Sequence, residues 1–398
     1  MNDPFVAPGI DEAPDLSFTA LQALRPDFLY FNVAGSGPTF PVAQRVAERF
    51  RSWLNGVGMF SHAGYGAYNA ALALTRADLA RALGDEGGAS RVALMQSATD
   101  GLNALVGGVR LPRGATIVTT AEEHASALLP VYLRERSGDR VVVLSHRDDA
   151  SFVRSVRDAL ASAPGGAALV LSLVSCKNGK VLPVAAACAV AREMGAASIV
   201  DAAQALGQVP VDAPALGADA VAVLGHKWVH GPLATGAVWV RDAGGFDPVR
   251  LGWRSRVHHD LEGNFELQPD ATRFETGTVD AAAFVGLRQS LAVQRALEPV
   301  VRHRIPALRA RLLERLSGLP FDVLSGRAAP TGIVAIAPRG GDAAGIVSRM
   351  WADERIVVKH LSEPDLPDAI RISFWALHRD ADIDRLAVAL ARQAAVPA

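Results

Sequence analysis

Between residues 91 and 241 the chain sets seven short apolar runs, rich in Val, Ile and Leu, between intervals mostly long enough for a helix. The runs are 91–97, 116–120, 141–145, 168–175, 198–202, 220–224 and 237–241. They lack polar alternation, as strands covered on both faces do. The intervals hold helix candidates at 100–110, 125–136, 152–163 and 184–194. Such alternation predicts an α/β fold with a mostly parallel seven-stranded sheet and helices on both faces. Right-handed crossovers follow from it. Ligands of such sheets gather beyond the carboxyl ends of the strands. After Pro299 the pattern changes to an Arg-rich helix at about 300–317, short strands and a last helix from Ala381. The expected layout is an arm at 1–29, a large domain at 30–298 and a smaller α+β domain at 299–398.

Of the 40 Lys and Arg residues only Lys177, Lys180, Lys227 and Lys359 are lysines. Arg stays charged at working pH and is a poor nucleophile, whereas Lys can lose its proton and form an imine. Lys227 follows the apolar run 220–224, where a Schiff-base lysine would stand. A net charge of −1 gives no reason to expect nucleic acid or an anionic membrane as partner. Cys176 and Cys188 form neither a disulfide framework nor a zinc pattern, so reduced thiols in the cytoplasm are expected. The first residues lack a basic stretch followed by an apolar one, and no secretory signal is expected.

Four clusters lie at successive strand ends. Gln96-Ser97-Ala98-Thr99-Asp100-Gly101 opens a helix, so its backbone N–H groups and Thr99 hydroxyl suit a phosphate. Read alone it is a plain N-cap. Glu122-Glu123-His124 supplies an imidazole that could cover a flat ring or simply face solvent. Asp201 closes an apolar strand, either capping a helix or holding a cation such as a protonated pyridine nitrogen. His226-Lys227 follows the next strand. A phosphate cradle, a stacking ring, an anion and a lysine are together what pyridoxal phosphate requires. A nucleotide-binding protein would need a G-x-G-x-x-G or Lys-containing phosphate loop, and 96–101 is neither.

The chain resembles the class V aminotransferase family, of fold type I among pyridoxal-phosphate enzymes, a group with cysteine desulfurases, isopenicillin-N-epimerase-like proteins and carbon–sulfur lyases. The resemblance runs from Tyr30-Phe31-Asn32-Val33-Ala34-Gly35-Ser36-Gly37-Pro38 through Ala98-Thr99, Glu123-His124, Asp201-Ala202-Ala203-Gln204 and His226-Lys227 with Gly231-Pro232. It continues through Arg273-Phe274-Glu275-Thr276-Gly277-Thr278 and Ile370-Arg371-Ile372-Ser373 to Asp382-Ile383-Asp384. It implies that Lys227 bonds the cofactor aldehyde and shuttles a proton at the substrate α-carbon. It implies that Asp201 holds the pyridine nitrogen protonated, that His124 stacks on the ring and that Gln204 faces the ring's 3-oxygen. Ala98, Thr99 and His226 would hold the phosphate, with Thr278 reaching it across a homodimer interface. Arg371 would fork the substrate α-carboxylate, and Asn32 and Gly35, Ser36 and Gly37 would lie near the substrate.

Three departures bear on the reaction. Leu224 stands where many relatives have a phosphate-binding Ser. Cys176 falls where desulfurases commonly have Asn. The 358–365 loop has no cysteine where desulfurases carry their nucleophile, so a persulfide-forming cysteine desulfurase is not expected. The resemblance then favours carbon–sulfur β-elimination from a cysteine S-conjugate, with an aminotransferase or epimerase of specialised metabolism as alternatives. A non-catalytic relative would be expected to lose Lys227 or Asp201, and both are present. Lys359, His360 and the His258-His259 pair could tune substrate choice or be surface residues.

Overall fold

The computed structural model of the chain describes Ala7, Leu16, residues 27–163 and residues 165–396. Most of the arm expected at 1–29 lies outside the described residues. Seven strands form the main sheet: β1 (Val92–Met95), β2 (Thr116–Thr120), β3 (Arg140–Leu144), β4 (Ala167–Ser172), β5 (Ala197–Asp201), β6 (Ala220–Leu224) and β7 (Gly236–Val240). Their order is β1-β7-β6-β5-β4-β2-β3. β7 runs antiparallel to both neighbours, and every other pairing is parallel. The α/β architecture expected from the alternating runs is therefore the one observed.

The apolar runs divide their residues between two faces, as a pleated strand must. Val118, Leu169, Val200 and Val221 join a core with helices α1 (Pro41–Val57), α2 (His62–Ala82), α5 (Asp149–Ala161) and α6 (Val184–Glu193). Ile117, Val170, Ile199 and Ala222 join a second core with α3 (Ala98–Gly108) and α4 (Ala125–Arg136). The edge strand β3 departs most from full coverage, with exposed or half-buried residues throughout.

The Arg-rich helix begins nineteen or so residues earlier than the sequence suggests. It is α7 (Ala281–Leu316), and it passes through both Pro299 and Pro306. Its first turns are buried on nearly every side, from Ala281 to Leu287, so no polar stripe marks them as helical. The boundary drawn at 298/299 falls inside this helix, which carries the chain toward a second sheet. That sheet contains β8 (Phe321–Val323), β9 (Ile333–Pro338), β10 (Lys359–Leu361) and β11 (Ala369–Ser373) in the order β8-β9-β11-β10, antiparallel throughout. Helices α8 (Ala343–Ala352) and α9 (Asp380–Ala394) complete this part.

One turn, 175–180, stitches the two sheets together. Ser325 Oγ donates to Asn178 O at 2.6 Å, Thr331 Oγ1 donates to Gly179 O at 2.7 Å, and Arg371 Nη1 donates to Cys176 O at 2.8 Å. A second buried anchor is Glu275. Its carboxylate accepts from Arg76 Nε and Nη2 at 2.8 and 2.7 Å and from Leu94 N at 3.0 Å. That carboxylate fixes the 273–278 segment against α2 and β1. No described helix is long and apolar enough to cross a membrane.

Candidate active site

β1, β2, β4, β5 and β6 all point the same way, so their carboxyl ends share one edge of the sheet. Four of the sequence clusters follow directly from those ends. Lys227 comes three residues after β6. Its Nζ has no hydrogen-bond partner among the described residues. Burial holds the amine below the ordinary lysine value, opposed by the Asp201 carboxylate. Asp201 closes β5 in register with Ser172 of β4 and is 6 % exposed. Burial pushes its carboxyl up; the Ala203 N–H, donating to Oδ1 at 2.8 Å, and the Lys227 charge pull it down.

His124 caps α4, its Nδ1 accepting from Ser126 N at 3.1 Å. An accepting Nδ1 leaves the ring proton on Nε2. Partial burial and the Lys227 charge hold this imidazole below its ordinary value, so it is neutral at neutral pH. Ser126 Oγ also meets Thr99 Oγ1 at 2.8 Å, which links the His124 turn to the start of α3. Ser97 caps α3 by accepting from Asp100 N at 3.0 Å. Ala98 is buried and Thr99 exposed at that helix start.

The segment 32–37 lies against the lysine loop. Gly37 N donates to His226 O at 2.8 Å, and Ser36 Oγ donates to the same oxygen at 3.2 Å. A Cβ on Gly37 would stand 2.2 Å from Lys227 O, so only glycine allows this approach. Gln204 is committed locally: Nε2 donates to Ala34 O at 3.0 Å and Oε1 accepts from Trp228 Nε1 at 2.7 Å. It ties the 32–37 segment to the residue after Lys227. Arg371, 7 % exposed on β11, also donates from Nη2 to Asn32 Oδ1 at 3.3 Å.

The structure thus gathers Lys227, Asp201, His124, Arg371, Asn32, Gly35 and Ser36 with Ala98, Thr99, Gln204 and His226 on one edge. It does not bring Thr278 there. Thr278 is exposed, and no hydrogen bond joins it to any of these residues. His258 and His259 are exposed on a hairpin formed by Arg256–His259 and Phe265–Leu267. A separate cavity of about 660 Å³, bordered by Arg81, Gln208, Arg288 and Val301, contains none of the gathered residues.

Two buried nitrogens, His226 Nδ1 and Arg371 Nε, have no partner. Buried polar atoms are almost always paired. Together with the unpartnered Lys227 amine, they fit a guest that brings acceptors of its own, as the phosphate and aldehyde of pyridoxal phosphate would.

Three participants received no role from the sequence: Lys177, Glu363 and Glu123. Lys177 is 4 % exposed; its Nζ donates to Ala121 O at 2.8 Å and pairs with Asp365. Glu363 lies 4.0 Å from the same amine. The scarcity of lysine that singled out Lys227 applied equally to Lys177. The third is Glu123, 1 % exposed, which accepts from Thr120 Oγ1 at 2.7 Å, Ser172 N at 2.8 Å and Ser172 Oγ at 2.6 Å. Burial raises its carboxyl from 4.5 to about 7, despite those hydrogen bonds.

Glu123 therefore links stability to pH. The folded chain binds its proton more tightly than the unfolded chain does. Stability must fall as pH rises between about 4.5 and 7, by up to about 3 kcal/mol from this group. Glu123→Gln keeps the acceptor oxygen for Thr120 and Ser172 N and cannot ionise. Urea unfolding across pH 4.5–8 is expected to show that slope in the wild type and its loss in the variant. Equal slopes would contradict the buried-acid assignment.

The sequence model of the aminotransferase class-V family matches residues 29–386. A probable cysteine desulfurase of Methanothermobacter thermautotrophicus is 30% identical over 278 residues, covering 67% of this chain and 66% of that protein. Isopenicillin N epimerase of Amycolatopsis lactamdurans is 32% identical over 238 residues, covering 56% of this chain and 58% of that protein. The match thus spans just under two thirds of the first relative and less of the second. Among solved structures, a cystine C–S lyase in complex with its product cysteine persulfide superposes with a TM-score of 0.83 at 24% identity. It covers 93% of this chain and 99% of the other, a likeness of fold.

These likenesses correct one expectation. The chain was expected not to be a persulfide-forming cysteine desulfurase, because the 358–365 loop lacks cysteine. Relatives named as cysteine desulfurases match it across two thirds of its length, and that exclusion does not stand. A gap at one loop position is weak ground, because packing rather than loop sequence decides which groups reach a site. Cys176, although it feels Arg371 and Lys227, is buried, and burial pushes its thiol up to about 11, which keeps it protonated at neutral pH.

Proposed function

This chain belongs to the aminotransferase class-V family, and from that premise we propose that it cleaves the carbon–sulfur bond of cysteine or a cysteine S-conjugate. The observation that carries the reading is the Lys227 amine, held deprotonatable by burial and without a hydrogen-bond partner beside the Asp201 carboxylate. The family cofactor, pyridoxal 5′-phosphate, supplies an aldehyde and an electron-withdrawing ring.

The chain's own groups do the rest. Lys227 would hold the cofactor by its aldehyde and, once the substrate's own amine has displaced it there, would be free to take the proton from the substrate α-carbon as general base. Asp201 would pair with the ring nitrogen and keep it protonated, its carboxylate form favoured by the Ala203 N–H and the Lys227 charge. Neutral His124 would cover one face of the ring. The α3 start, with Ala98 and Thr99, and His226 hold the phosphate. Arg371 forks the α-carboxylate, while Asn32, Gly35 and Ser36 close over the substrate. Gln204 acts from its bond to Trp228. Thr278 serves the site of a second copy in a homodimer, which accounts for its exposure. The enzyme works in the cytoplasm, with Cys176 and Cys188 as free thiols.

With the α-proton taken by Lys227, the freed electron pair would form a double bond to the β-carbon as a thiolate leaves with the electrons of the broken C–S bond. The likeness to an epimerase favours a second reading, in which the proton returns to the opposite face. Incubating the purified, cofactor-loaded protein with cysteine and several cysteine S-conjugates tests both. Pyruvate with ammonia reports elimination, alanine reports desulfuration, and inverted amino acid reports epimerisation. Absence of any C–S cleavage product across the series would remove the first reading.

A further inference from the structure

The segment between β10 and β11 crosses from the second sheet to the edge that holds Lys227. It is pinned there by Lys177, whose amine is tied on one side to Ala121 O, in the turn before His124, and on the other to Asp365. Lys177 follows Cys176, whose carbonyl oxygen holds Arg371 at 2.8 Å. Arg371 and the pinned segment therefore hang on consecutive residues of one turn. Glu363 sits in that segment, half-buried, with Oε2 4.0 Å from Lys177 Nζ. Its charge acts on both His124 and Arg371, each of which also feels Lys227.

Lys177 is one cation shared by two carboxylates, and Asp365 holds the close contact. The Lys177, Asp365 and Glu363 group thus carries a net negative charge at the wall next to Arg371. Arg371 itself keeps a buried Nε with no partner, a donor that matches an incoming carboxylate. A substrate anchored by its α-carboxylate at Arg371 and by its α-carbon at Lys227 must run its side chain past this wall.

We propose that Glu363 is a specificity-determining residue that selects substrates whose side chain ends in a cation and repels those whose side chain ends in a carboxylate. The proposal rests on the reading of Lys227 and Arg371 as the substrate site and names the substrate class for it. Opposite charges several ångströms apart at a partly buried site are worth on the order of ten-fold in affinity. The lysine cannot cancel this preference, because its short contact is spent on Asp365. Asp365→Asn should therefore free Lys177 for Glu363 and weaken the discrimination, which a wall that merely excludes bulk would not show.

The test uses the holoenzyme and three probes of similar length: L-norvaline, L-ornithine and L-glutamate. Each is titrated while the visible absorbance of the bound cofactor reports occupancy, so no turnover is needed. The expected order is ornithine tighter than norvaline by roughly ten-fold, with glutamate weakest. Glu363→Gln is expected to bring the three within about three-fold, and Glu363→Lys to reverse the order. Glu363→Ala provides a second neutral variant should the amide form new contacts. An ornithine-to-glutamate ratio unchanged in both neutral variants overturns the proposal. If none of the three probes alters the absorbance of protein that holds cofactor, the site reading itself fails. Equal responses to all three in the wild type overturn only the role of Glu363.

Discussion

Lys227→Ala is expected to lower turnover by at least about a thousand-fold while leaving the fold intact. General base action alone contributes about 10²–10⁴, and the covalent role adds to it. The side chain makes no hydrogen bond among the described residues, so its removal strands no partner. The loop around it is held independently, by Gly37 N on His226 O and by Trp228 Nε1 on Gln204 Oε1. Two readouts separate chemistry from structure. Borohydride treatment should add the cofactor's mass to the wild-type chain and none to the variant. Thermal unfolding of the cofactor-free proteins should shift little, because a buried amine that loses its charge readily contributes little to the folded state. Wild-type turnover in the variant, or a borohydride adduct on it, would contradict the assignment.

Arg371→Ala is expected to weaken substrate by about a hundred-fold or more, with cofactor affinity changed far less. Truncating one partner of a buried, hydrogen-bonded charge pair costs about 2–5 kcal/mol, and the α-carboxylate is the partner assigned to it. Part of the loss is structural, because Cys176 O and Asn32 Oδ1 lose their donors. Arg371→Lys discriminates between these contributions. A lysine can satisfy Cys176 O as a single donor but cannot also fork a carboxylate. The lysine variant should therefore recover stability and not KM. A parallel loss of cofactor and substrate in both variants would assign Arg371 a structural role instead.

The two predictions differ in how far the sequence carries them. Lys227 and Asp201 could be read directly, because a charged residue closing an apolar strand has few reasons to be there. The seven strands were legible for the same reason, since their apolar runs match a sheet covered on both faces. The antiparallel direction of β7 was not legible. Its hydrophobic run looks like the others, and only the short connection from β6 and its place between β1 and β6, paired with both, set its direction. The first turns of α7 were missed because burial on all sides removes the polar stripe that periodicity needs. Pro299 then looked like a boundary rather than a helix interior. The exclusion of desulfurase chemistry went wrong in a related way, by treating one loop as if its sequence settled which groups reach the substrate.

Local sequence determined which side chains stand at the strand ends, because strand and helix formation depend on neighbours a few residues away. It determined Lys227, Asp201, His124 and the α3 start in that sense. Tertiary structure alone decided what faces them. Arg371 meets Cys176 across 195 positions, and Lys177 meets Asp365 across 188. Contacts of that span leave no periodic trace in the chain. They exist because two sheets pack on one turn, and packing is a property of the folded whole.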